Sequence, residues 1–385
     1  MRLEDFDYSL PKDLIAQRPA RHRADSRMLV VYRREGRWED ALFRQLPDFL
    51  EACDVLALNN SRVVAARLFG RRVGVRAQAI GKRNPARAEY LTSCIEVLLA
   101  RRLDERTWEA LVKPGRKVRP GEVLKFDSSD APENAASDGR DGKSLMLEAE
   151  VIGRGDFGLR VLRFPEGVDL PEGISLDEML EKVGHVPVPP YIHRPKEKDE
   201  KQDRLRYQTV YAKHPGSVAA PTAGLHFTKE ILYELEKRGV ERAEITLHVG
   251  LGTFQPIHVT EIEKHRMHPE TFEVDALTAA RLSRALEQKR RIVAVGTTTV
   301  RTLEHLAQEN NELIGPGRGE TRLFIVPGFK FRVIGGLLTN FHLPRTTLLM
   351  LVSAFAGREL ILDAYRHAVR ERYRFYSYGD CMLIL

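Results

Sequence analysis

The stretch from Ser217 to Thr228 constrains the fold of this chain more than any other. Its first residues, Ser217 to Ala220, are small and apolar and predict a short strand that ends at Pro221. An amphipathic helix is predicted from Lys229 to Arg238, with Thr228 as its N-cap. In open α/β sheets, ligands bind at turns of this kind, because helix N-terminal amides and small residues meet there. The stretch therefore predicts an α/β sheet with a ligand at this turn; an ordinary tight connection is the alternative.

Apolar strand patterns alternate with helical patterns along most of the chain. The predicted strands of the main domain are Ser26–Tyr32, Asp54–Asn59, Ala243–Val249, Arg291–Val295, Leu323–Val326, Gly336–Asn340 and Cys381–Leu385. Beyond the central stretch, the predicted helices are Ala276–Lys289, Thr299–Gln308, Arg345–Ala356 and Leu360–Arg372. Strands that alternate with helices in this way indicate a three-layer α/β domain.

Between Ala66 and Phe164 the pattern changes to short β runs separated by glycine and proline. The runs are Arg67–Arg76, Cys94–Leu103, Thr107–Val112, Glu122–Phe126, Leu145–Ile152 and Gly158–Phe164. Short strands at this spacing predict a small β-barrel. We expect it to be inserted, as residues 66–174, into a discontinuous α/β catalytic domain of residues 1–65 and 175–385. Two segments inside it, 81–89 and 127–143, have the composition of unstructured loops, and we expect the second to be mobile.

Composition limits the kinds of partner and compartment. No apolar run reaches the ~20 residues of a membrane span, so no membrane is expected. The first residues lack a signal-peptide pattern and the three cysteines lie far apart, which predicts a reducing cytoplasm. A net charge of +7 and clusters of basic residues at 18–27, 67–76 and 113–119 permit a nucleic-acid partner. A solvated basic face explains them equally well.

Polar residues follow five of the predicted strands at the point where each strand ends. The five turns are Asn59–Arg62, Pro221–His226, Gly250–Phe254, Gly296–Arg301 and Asn340–Pro344. Because the carboxyl ends of parallel strands share one edge of a sheet, these turns are predicted to converge on one crevice. The run from Tyr373 to Asp380 has aromatic rings that can stack on a base and a carboxylate that can bind a sugar; a core strand is the alternative.

Several common sites are not supported by the sequence. The Gly250-Leu251-Gly252 turn lacks the third glycine of a dinucleotide fingerprint, and the chain has no GxSxG or GxxxxGK[ST] motif. Four histidines lie close together beside Glu270, namely His248, His258, His265 and His268. Their spacing matches no HExxH site and no cysteine is near, so no metal is expected.

Long motifs are distributed along nearly the whole chain, and we interpret them as one set. They are Asp5–Tyr8 with Leu10-Pro11 and Leu14–Gln17, Asp54–Leu56 with Leu58–Val63, Tyr207–Ala212, Gly216–Thr228, Leu247–Gly250 with Gly252–Phe254, His265 with Met267-His268 and Glu270, Gly296–Thr298 with Arg301, Thr339–Pro344, and Tyr373–Asp380. With these motifs the chain closely resembles the S-adenosylmethionine:tRNA ribosyltransferase-isomerase family of queuosine biosynthesis. The segments 81–89 and 127–143 match nothing in that family.

The resemblance implies a reaction with two substrates. The ribosyl part of S-adenosylmethionine passes to the aminomethyl group of 7-aminomethyl-7-deazaguanine at the wobble position of a tRNA. Adenine and methionine leave, and the product is epoxyqueuosine in the tRNA. The implied co-substrate is S-adenosylmethionine, the implied partner is tRNA, and we expect a monomer. The sulfonium acidifies the neighbouring 5′ carbon, so a base is needed there, and departure of adenine needs a general acid.

The resemblance also implies roles for individual residues. The expected catalytic residues are His226, His342 and Asp380, and which histidine is acid and which is base stays open. The expected substrate-binding residues are Asn59, Arg62, Thr222, Gly224, His248, Glu270, Thr297, Arg301, Tyr376 and Tyr378. Arg71 and Arg72 are expected to bind tRNA. The alternative is that the two histidines only stabilise their turns.

Two other functions fit parts of the sequence. One is an RNA-binding module on a degenerate α/β domain, but such a module has no use for imidazoles at strand ends. The other is an S-adenosylmethionine methyltransferase. That class is expected to have a glycine-rich turn after the first strand and an acidic residue after the second, and the chain has neither.

Overall fold

The computed structural model describes residues 1–75, 94–115, 118–127, 145–155, 158–165, 174–194, 201–250, 262, 265–310 and 313–385. The predicted loops at 81–89 and 128–143 lie outside these residues, and so do His258 and the turn at 252–254.

A nine-stranded mixed sheet forms the centre of the main domain. Its strands, in chain order, are β1 (Arg27–Tyr32), β2 (Arg37–Leu42), β3 (Val55–Asn59), β12 (Glu241–Leu247), β13 (Glu270–Val274), β14 (Ile292–Val295), β15 (Gly317–Thr321), β16 (Ile334–Asn340) and β17 (Cys381–Ile384). They lie in the spatial order β15-β13-β12-β3-β14-β16-β17-β1-β2.

Helices cover both faces of this sheet. Those that pack on it are α1 (Leu46–Phe49), α4 (Lys229–Lys237), α5 (Ala276–Glu287), α6 (Thr297–Glu309), α7 (Thr347–Ala356) and α8 (Arg358–Arg370). The described chain also has α2 (Leu176–Val183), whose buried residues pack in the core of the barrel described below, and α3 (Lys201–Arg206). Alternate residues of β3 pack into different cores: Val55 joins α5 to α8 on one face, and Leu56 joins α1 and α4 on the other. This alternation, expected of a strand buried on both sides, confirms the predicted three-layer α/β class.

The closed β-barrel is also confirmed. Its strands are β5 (Arg67–Val75), β6 (Cys94–Arg102), β7 (Thr107–Lys113), β8 (Glu122–Asp127), β9 (Met146–Arg154) and β10 (Arg160–Arg163), in the order β10-β7-β6-β5-β8-β9. Every second residue of β7 and β8 is buried, and these inward residues surround Trp108 in a core of their own. The alternation explains why the sequence pattern was sufficient here.

Two predicted strands of the main domain are wrong. Residues 323–326 form no strand, and the neighbouring strand is β15 at Gly317–Thr321, which pairs with β13 at the sheet edge. Ser217–Ala220 is not a strand of the main sheet either. The strand there is β11 (His214–Ser217), which pairs only with β4 (Ser61–Val63) in a separate two-stranded sheet. Residues 218–220 are small and buried because they cross between sheet and barrel, and small apolar residues suit such a crossing as well as a strand.

The directions of the central strands decide which loops meet. β12, β3, β14 and β16 are neighbours and run parallel, so their carboxyl ends share one edge of the sheet. β17 runs antiparallel to β16, so it starts at this same edge. The loop before β17, residues 373–380, therefore joins the strand-end turns there. We call this side of the sheet the catalytic edge, because the sequence predicts the candidate catalytic residues there.

In the part of the chain that the structure describes, no helix is long and apolar enough to cross a membrane.

Candidate active site

A small crevice lies at the catalytic edge. It is lined by Ala220, Pro221, Thr222, Ala223, Val249, Gly296, Thr297, Thr298, Thr339, Asn340, His342, Leu348, Tyr376 and Ser377. Three of the five predicted turns thus meet here, and Val249 stands at the beginning of a fourth. The cavity measures about 40 Å³, which is room for one or two water molecules. A nucleoside enters it only if the surrounding loops move apart.

The N-terminus of α6 forms one wall of the crevice. Gly296 separates β14 from the helix and has φ +88°, a conformation that a side chain would strain. The glycine lets the helix begin directly after the strand, so its first residues, Thr297 and Thr298, line the cavity. No side chain caps this helix. Its first amides and positive dipole end are therefore well suited to an anionic group.

His342 is the imidazole that lines the crevice. Its Nε2 lies 2.9 Å from Oγ1 of Thr339. Its backbone is fixed on both sides, because its N–H donates to the hydroxyl of Tyr365 and its carbonyl accepts from the hydroxyl of Tyr8. Burial lowers the pKa of His342 to about 3, so the ring is neutral near pH 7 and can accept a proton or donate a hydrogen bond.

His226 lies behind the crevice wall and does not line the cavity. It ends the 3-10 helix Thr222–His226, which the sequence represented only as a turn. Its Nε2 is 3.2 Å from Nδ2 of Asn340, and its ring packs against Phe43. Burial, with smaller contributions from nearby arginines, lowers its pKa to about 3. Proton transfer by His226 stays a prediction; in this structure the ring is 3% exposed and contacts the amide of Asn340.

Asn340 ends β16 and lines the crevice, although the sequence gives it no role beyond its place in a strand-end turn. Its Nδ2 also lies 3.2 Å from the carbonyl of Tyr376 and 3.4 Å from that of Asp380. One amide thus connects the end of β16, His226 and the C-terminal loop. These contacts of Asn340 leave no pattern in the sequence. They become visible only when β16 pairs with β17 and brings the C-terminal loop to the end of β16.

Asp380, predicted as a catalytic residue, is engaged by the protein itself in this structure. Its carboxylate accepts hydrogen bonds from the backbone N–H groups of Arg27, at 3.1 Å, and Arg374, at 2.8 Å, and pairs with the Arg374 guanidinium at 3.2 Å. It is 2% exposed and does not line the crevice. The carboxylate instead closes the loop 374–380 onto the start of β1.

The loop that Asp380 closes holds Tyr376 in the crevice wall. Tyr376 has φ +77°, which is rare for a bulky residue, and its ring packs edge-on against Tyr191. Strained backbone of this kind persists where its surroundings enforce it, and is common at functional sites. Tyr378 is different, because its hydroxyl donates to Asp203 at 2.8 Å and the ring faces Tyr207. Its role in substrate binding stays a prediction, and its side chain does not line the crevice.

The turn after β3 does not reach the crevice. The side-chain oxygen of Asn59 accepts from the N–H groups of Ser61 and Leu247, and its amide donates to the carbonyl of Leu247. Asn59 is fully buried and joins β3 to β12. Arg62 is exposed, 3.8 Å from Glu181 of α2. Neither side chain lines the crevice, because a pair of asparagines in sequence marks a turn and not the direction of its side chains.

Glu270 and Arg301 bind each other. The carboxylate and guanidinium lie 2.5 Å apart, both about 3% exposed, and join β13 to α6. Arg301 also donates to the carbonyl of Leu323. Neither side chain lines the crevice, so the pair holds the wall from behind. Gly224 also acts through packing: a Cβ there would lie 2.1 Å from the hydroxyl of Tyr211.

A larger cleft lies between the barrel and the main domain. It measures about 320 Å³ and is lined by His248, Val249, His268 and Arg322 on one side and by residues 100–104, with Glu109, on the other. It meets the crevice at Val249, which lines both. Burial lowers the pKa of His248 to about 4. The predicted binding residue His248 thus lies in a ligand-sized cavity, within the usual range for small-molecule sites.

The two arginines predicted to bind tRNA lie in different surroundings. Arg71 is exposed on β5. Arg72 is 2% exposed and pairs with Glu122 through its Nε, at 2.8 Å, and its Nη2. A buried guanidinium cannot contact a polyanion, so the prediction for Arg72 is wrong. Strand alternation places the two neighbours on opposite faces of the barrel wall.

Among the described residues, no group of three or more histidine, cysteine or acidic side chains is placed to hold a metal ion.

Comparison with known proteins gives the family. A model described as a queuosine biosynthesis protein matches residues 3–384. The S-adenosylmethionine:tRNA ribosyltransferase-isomerases of Solibacter usitatus and Symbiobacterium thermophilum are 52% and 48% identical, each over 100% of both chains. A crystal structure of an S-adenosylmethionine tRNA ribosyltransferase from Thermotoga maritima is 37% identical, with a TM-score of 0.51 over 99% of this chain and 100% of that one. This chain therefore belongs to the queuosine biosynthesis protein family.

Proposed function

We propose that this chain is an S-adenosylmethionine:tRNA ribosyltransferase-isomerase. It transfers the ribosyl part of S-adenosylmethionine to 7-aminomethyl-7-deazaguanine at the wobble position of tRNA, releases adenine and methionine, and forms epoxyqueuosine. Membership of the family along the whole chain supports the activity. S-adenosylmethionine acts as a co-substrate, no metal takes part, and the enzyme acts as a monomer in the cytoplasm.

One observation carries the assignment of the site: a neutral imidazole and an uncapped helix N-terminus face one crevice. S-adenosylmethionine has a sulfonium cation and, in its methionine part, a carboxylate. The carboxylate fits the first amides of α6 at Thr297 and Thr298. The sulfonium fits beside His342, because burial keeps that ring neutral and a protonated ring would repel the cation.

The two cavities suit the two substrates. S-adenosylmethionine occupies the crevice, and the deazaguanine nucleotide occupies the cleft with His248 and His268. The 5′ carbon and the aminomethyl group then meet near Val249, which lines both cavities. Because the crevice is small in the free protein, S-adenosylmethionine enters by moving the loop at 374–380 or the 3-10 helix at 222–226. Both are held by hydrogen bonds and not by a continuous sheet.

We propose that His342 carries both proton-transfer steps, because its ring is the imidazole that lines the crevice. Its neutral ring accepts the proton that the sulfonium acidifies on the 5′ carbon. The imidazolium that results has little affinity for its proton, because burial disfavours the charge, and it passes the proton to adenine as adenine leaves. His226 keeps Asn340 in place through its Nε2, and Tyr376 closes the wall opposite the helix.

Product analysis tests this function. The purified chain is incubated with S-adenosylmethionine and a tRNA that contains 7-aminomethyl-7-deazaguanine, and the digested tRNA is examined by mass spectrometry. We expect free adenine and a modified nucleoside with the added mass of the epoxycyclopentane ring. Formation of S-adenosylhomocysteine would instead identify a methyltransferase. Binding of tRNA with no change in mass would leave only an RNA-binding protein.

A further inference from the structure

Arg23 and Arg206 each donate hydrogen bonds to backbone carbonyls in the chain segment of the other. Arg23 donates from its Nη2 to the carbonyl of Leu205, 3.1 Å away in α3. Arg206, the next residue of α3, donates in return from its Nη1 and Nη2 to the carbonyls of Arg21 and Ala20, at 3.1 and 2.8 Å. We call this reciprocal arrangement the arginine clasp. It brings two guanidinium groups together on one surface, and carbonyl oxygens, which carry no net charge, are their partners.

The positive charge of the clasp has no counter-ion in the part of the chain that the structure describes. The acidic residues close to it in sequence pair with other arginines: Asp25 lies 3.8 Å from Arg44, and Asp203 lies 2.7 Å from Arg194. Burial and the nearby charge of Arg206 lower the pKa of Arg23 to about 10. The Nε of Arg206 is buried without a hydrogen-bond partner. Two cations held together without an anion repel each other, and an anion that binds between them relieves this repulsion.

The clasp shares its supporting segments with the crevice. Arg23 donates from Nη1 to the carbonyl of Leu225 at 2.8 Å, in the 3-10 helix whose first residue, Thr222, lines the crevice. Arg374, in the loop that carries Tyr376, donates to the carbonyl of Arg18 at 3.4 Å. The clasp therefore holds the 3-10 helix whose first residues form part of the crevice wall.

We propose that the arginine clasp, together with the exposed Arg21 beside it, binds phosphates of the tRNA anticodon loop while the wobble nucleotide reaches the cleft that adjoins the crevice. The guanidinium fork matches a phosphate in shape and charge, and each arginine still has donors that its carbonyl bonds do not use. Leu205, 75% exposed between the two arginines' segments, offers an apolar contact for an unstacked base or ribose, as single-stranded loops require. The inference rests on the proposed function, because that function supplies the tRNA.

The test compares the salt dependence of tRNA binding in matched variants. The double variant Arg21→Gln/Arg206→Gln removes two charges and leaves Arg23 in place. The control, Arg34→Gln, removes an exposed arginine just after β1 ends, at the opposite edge of the sheet. Arg206→Lys keeps the positive charge but loses the planar guanidinium that binds a phosphate through two N–H groups. Dissociation constants for tRNA are measured between about 50 and 200 mM salt, with thermal unfolding and adenine release by the unaltered protein recorded in parallel.

We expect the double variant to bind tRNA ~10-fold or more weakly near 150 mM salt, and its slope of log K against log salt to flatten by ~0.7 for each phosphate that it no longer neutralises. Arg34→Gln should change affinity by less than ~2-fold, and Arg206→Lys should keep most of the slope, because the slope depends on charge. An unchanged slope in the double variant, or equal weakening by the control, overturns the proposal. If the unaltered protein releases no adenine, the proposed function itself has failed.

Discussion

The paired arginines of the barrel and the arginines of the clasp use the same residue type in opposite ways. In the barrel, arginines pair with glutamates: Arg72 with Glu122, and Arg67 with Glu96 at 2.9 Å. At the catalytic edge, the arginines of the clasp bind backbone carbonyls of neighbouring loops. Arg72 and Arg67 therefore stabilise the barrel and are neutralised by it. The arginines of the clasp hold loops together and, by our proposal, keep their charge for a ligand.

The difference shows that a basic cluster in sequence is not evidence of a binding surface. Arg71 and Arg72 are adjacent and look as suitable for RNA as Arg21 and Arg23. What separates Arg72 from the arginines of the clasp is the carboxylate that faces it across the strand pair. A carboxylate or an imidazole in the sequence is equally ambiguous. Asp380 accepts a hydrogen bond from a backbone N–H and His226 contacts the amide of Asn340, so both side chains support the crevice wall without lining it.

The largest expected effect is on the stability of the barrel. Arg72→Met leaves Glu122 buried without its partner, which should destabilise the protein by about 3–5 kcal/mol. In Arg72→Met/Glu122→Leu both charges are gone, and most of that stability should return. Denaturant unfolding measures both values. Folded Arg72→Met should bind tRNA as the unaltered protein does; a marked loss of tRNA affinity would return the barrel wall to the RNA-binding surface.

A smaller effect is expected at the loop that closes the crevice. Asp380→Asn keeps the size of the side chain but loses the charge that holds two backbone N–H groups and Arg374. Hydrogen bonds to charged groups contribute about 1.5–3 kcal/mol, so stability should fall within that range and adenine release should slow, because Tyr376 loses its support. Asp363→Asn, on the exposed surface of α8, is the control. Normal turnover in Asp380→Asn would separate the loop from the reaction.

The smallest expected effect concerns pH. Burial lowers the pKa of His226 and His342 to about 3 and that of His248 to about 4. The unfolded chain takes up these protons near pH 6.5, so stability should be highest above that pH and fall as pH decreases towards the folded pKa values. His226→Gln should flatten the fall between pH 6 and 5 by ~1 kcal/mol per pH unit. If the stability of His226→Gln depends on pH as that of the unaltered protein does, His226 is not buried as a neutral ring.

The sequence predicted the architecture more fully than the site. Alternation of apolar and polar residues, with glycine and proline between the strands, was enough to predict the barrel, since each of its strands faces one core. The meeting of the turns after β14 and β16 also followed, because parallel strands share an edge. Side-chain direction did not follow: Asp380, Asn59 and Tyr378 have the residue types of a binding site, yet they bind other parts of the protein. Asn340 was given no role because the loop before β17 reaches it only through long-range pairing.

The central claim is that ribosyl transfer takes place in the crevice at the catalytic edge, with His342 moving the proton. The most direct test is single-turnover adenine release by His342→Ala at saturating S-adenosylmethionine and tRNA. The rate should fall ~10²-fold or more, the usual contribution of one general acid or base. Both substrates should still bind within a few-fold, and His342→Gln, which keeps hydrogen bonding but cannot titrate, should be similarly slow. A near-normal rate in His342→Ala would contradict the claim and move the chemistry out of the crevice.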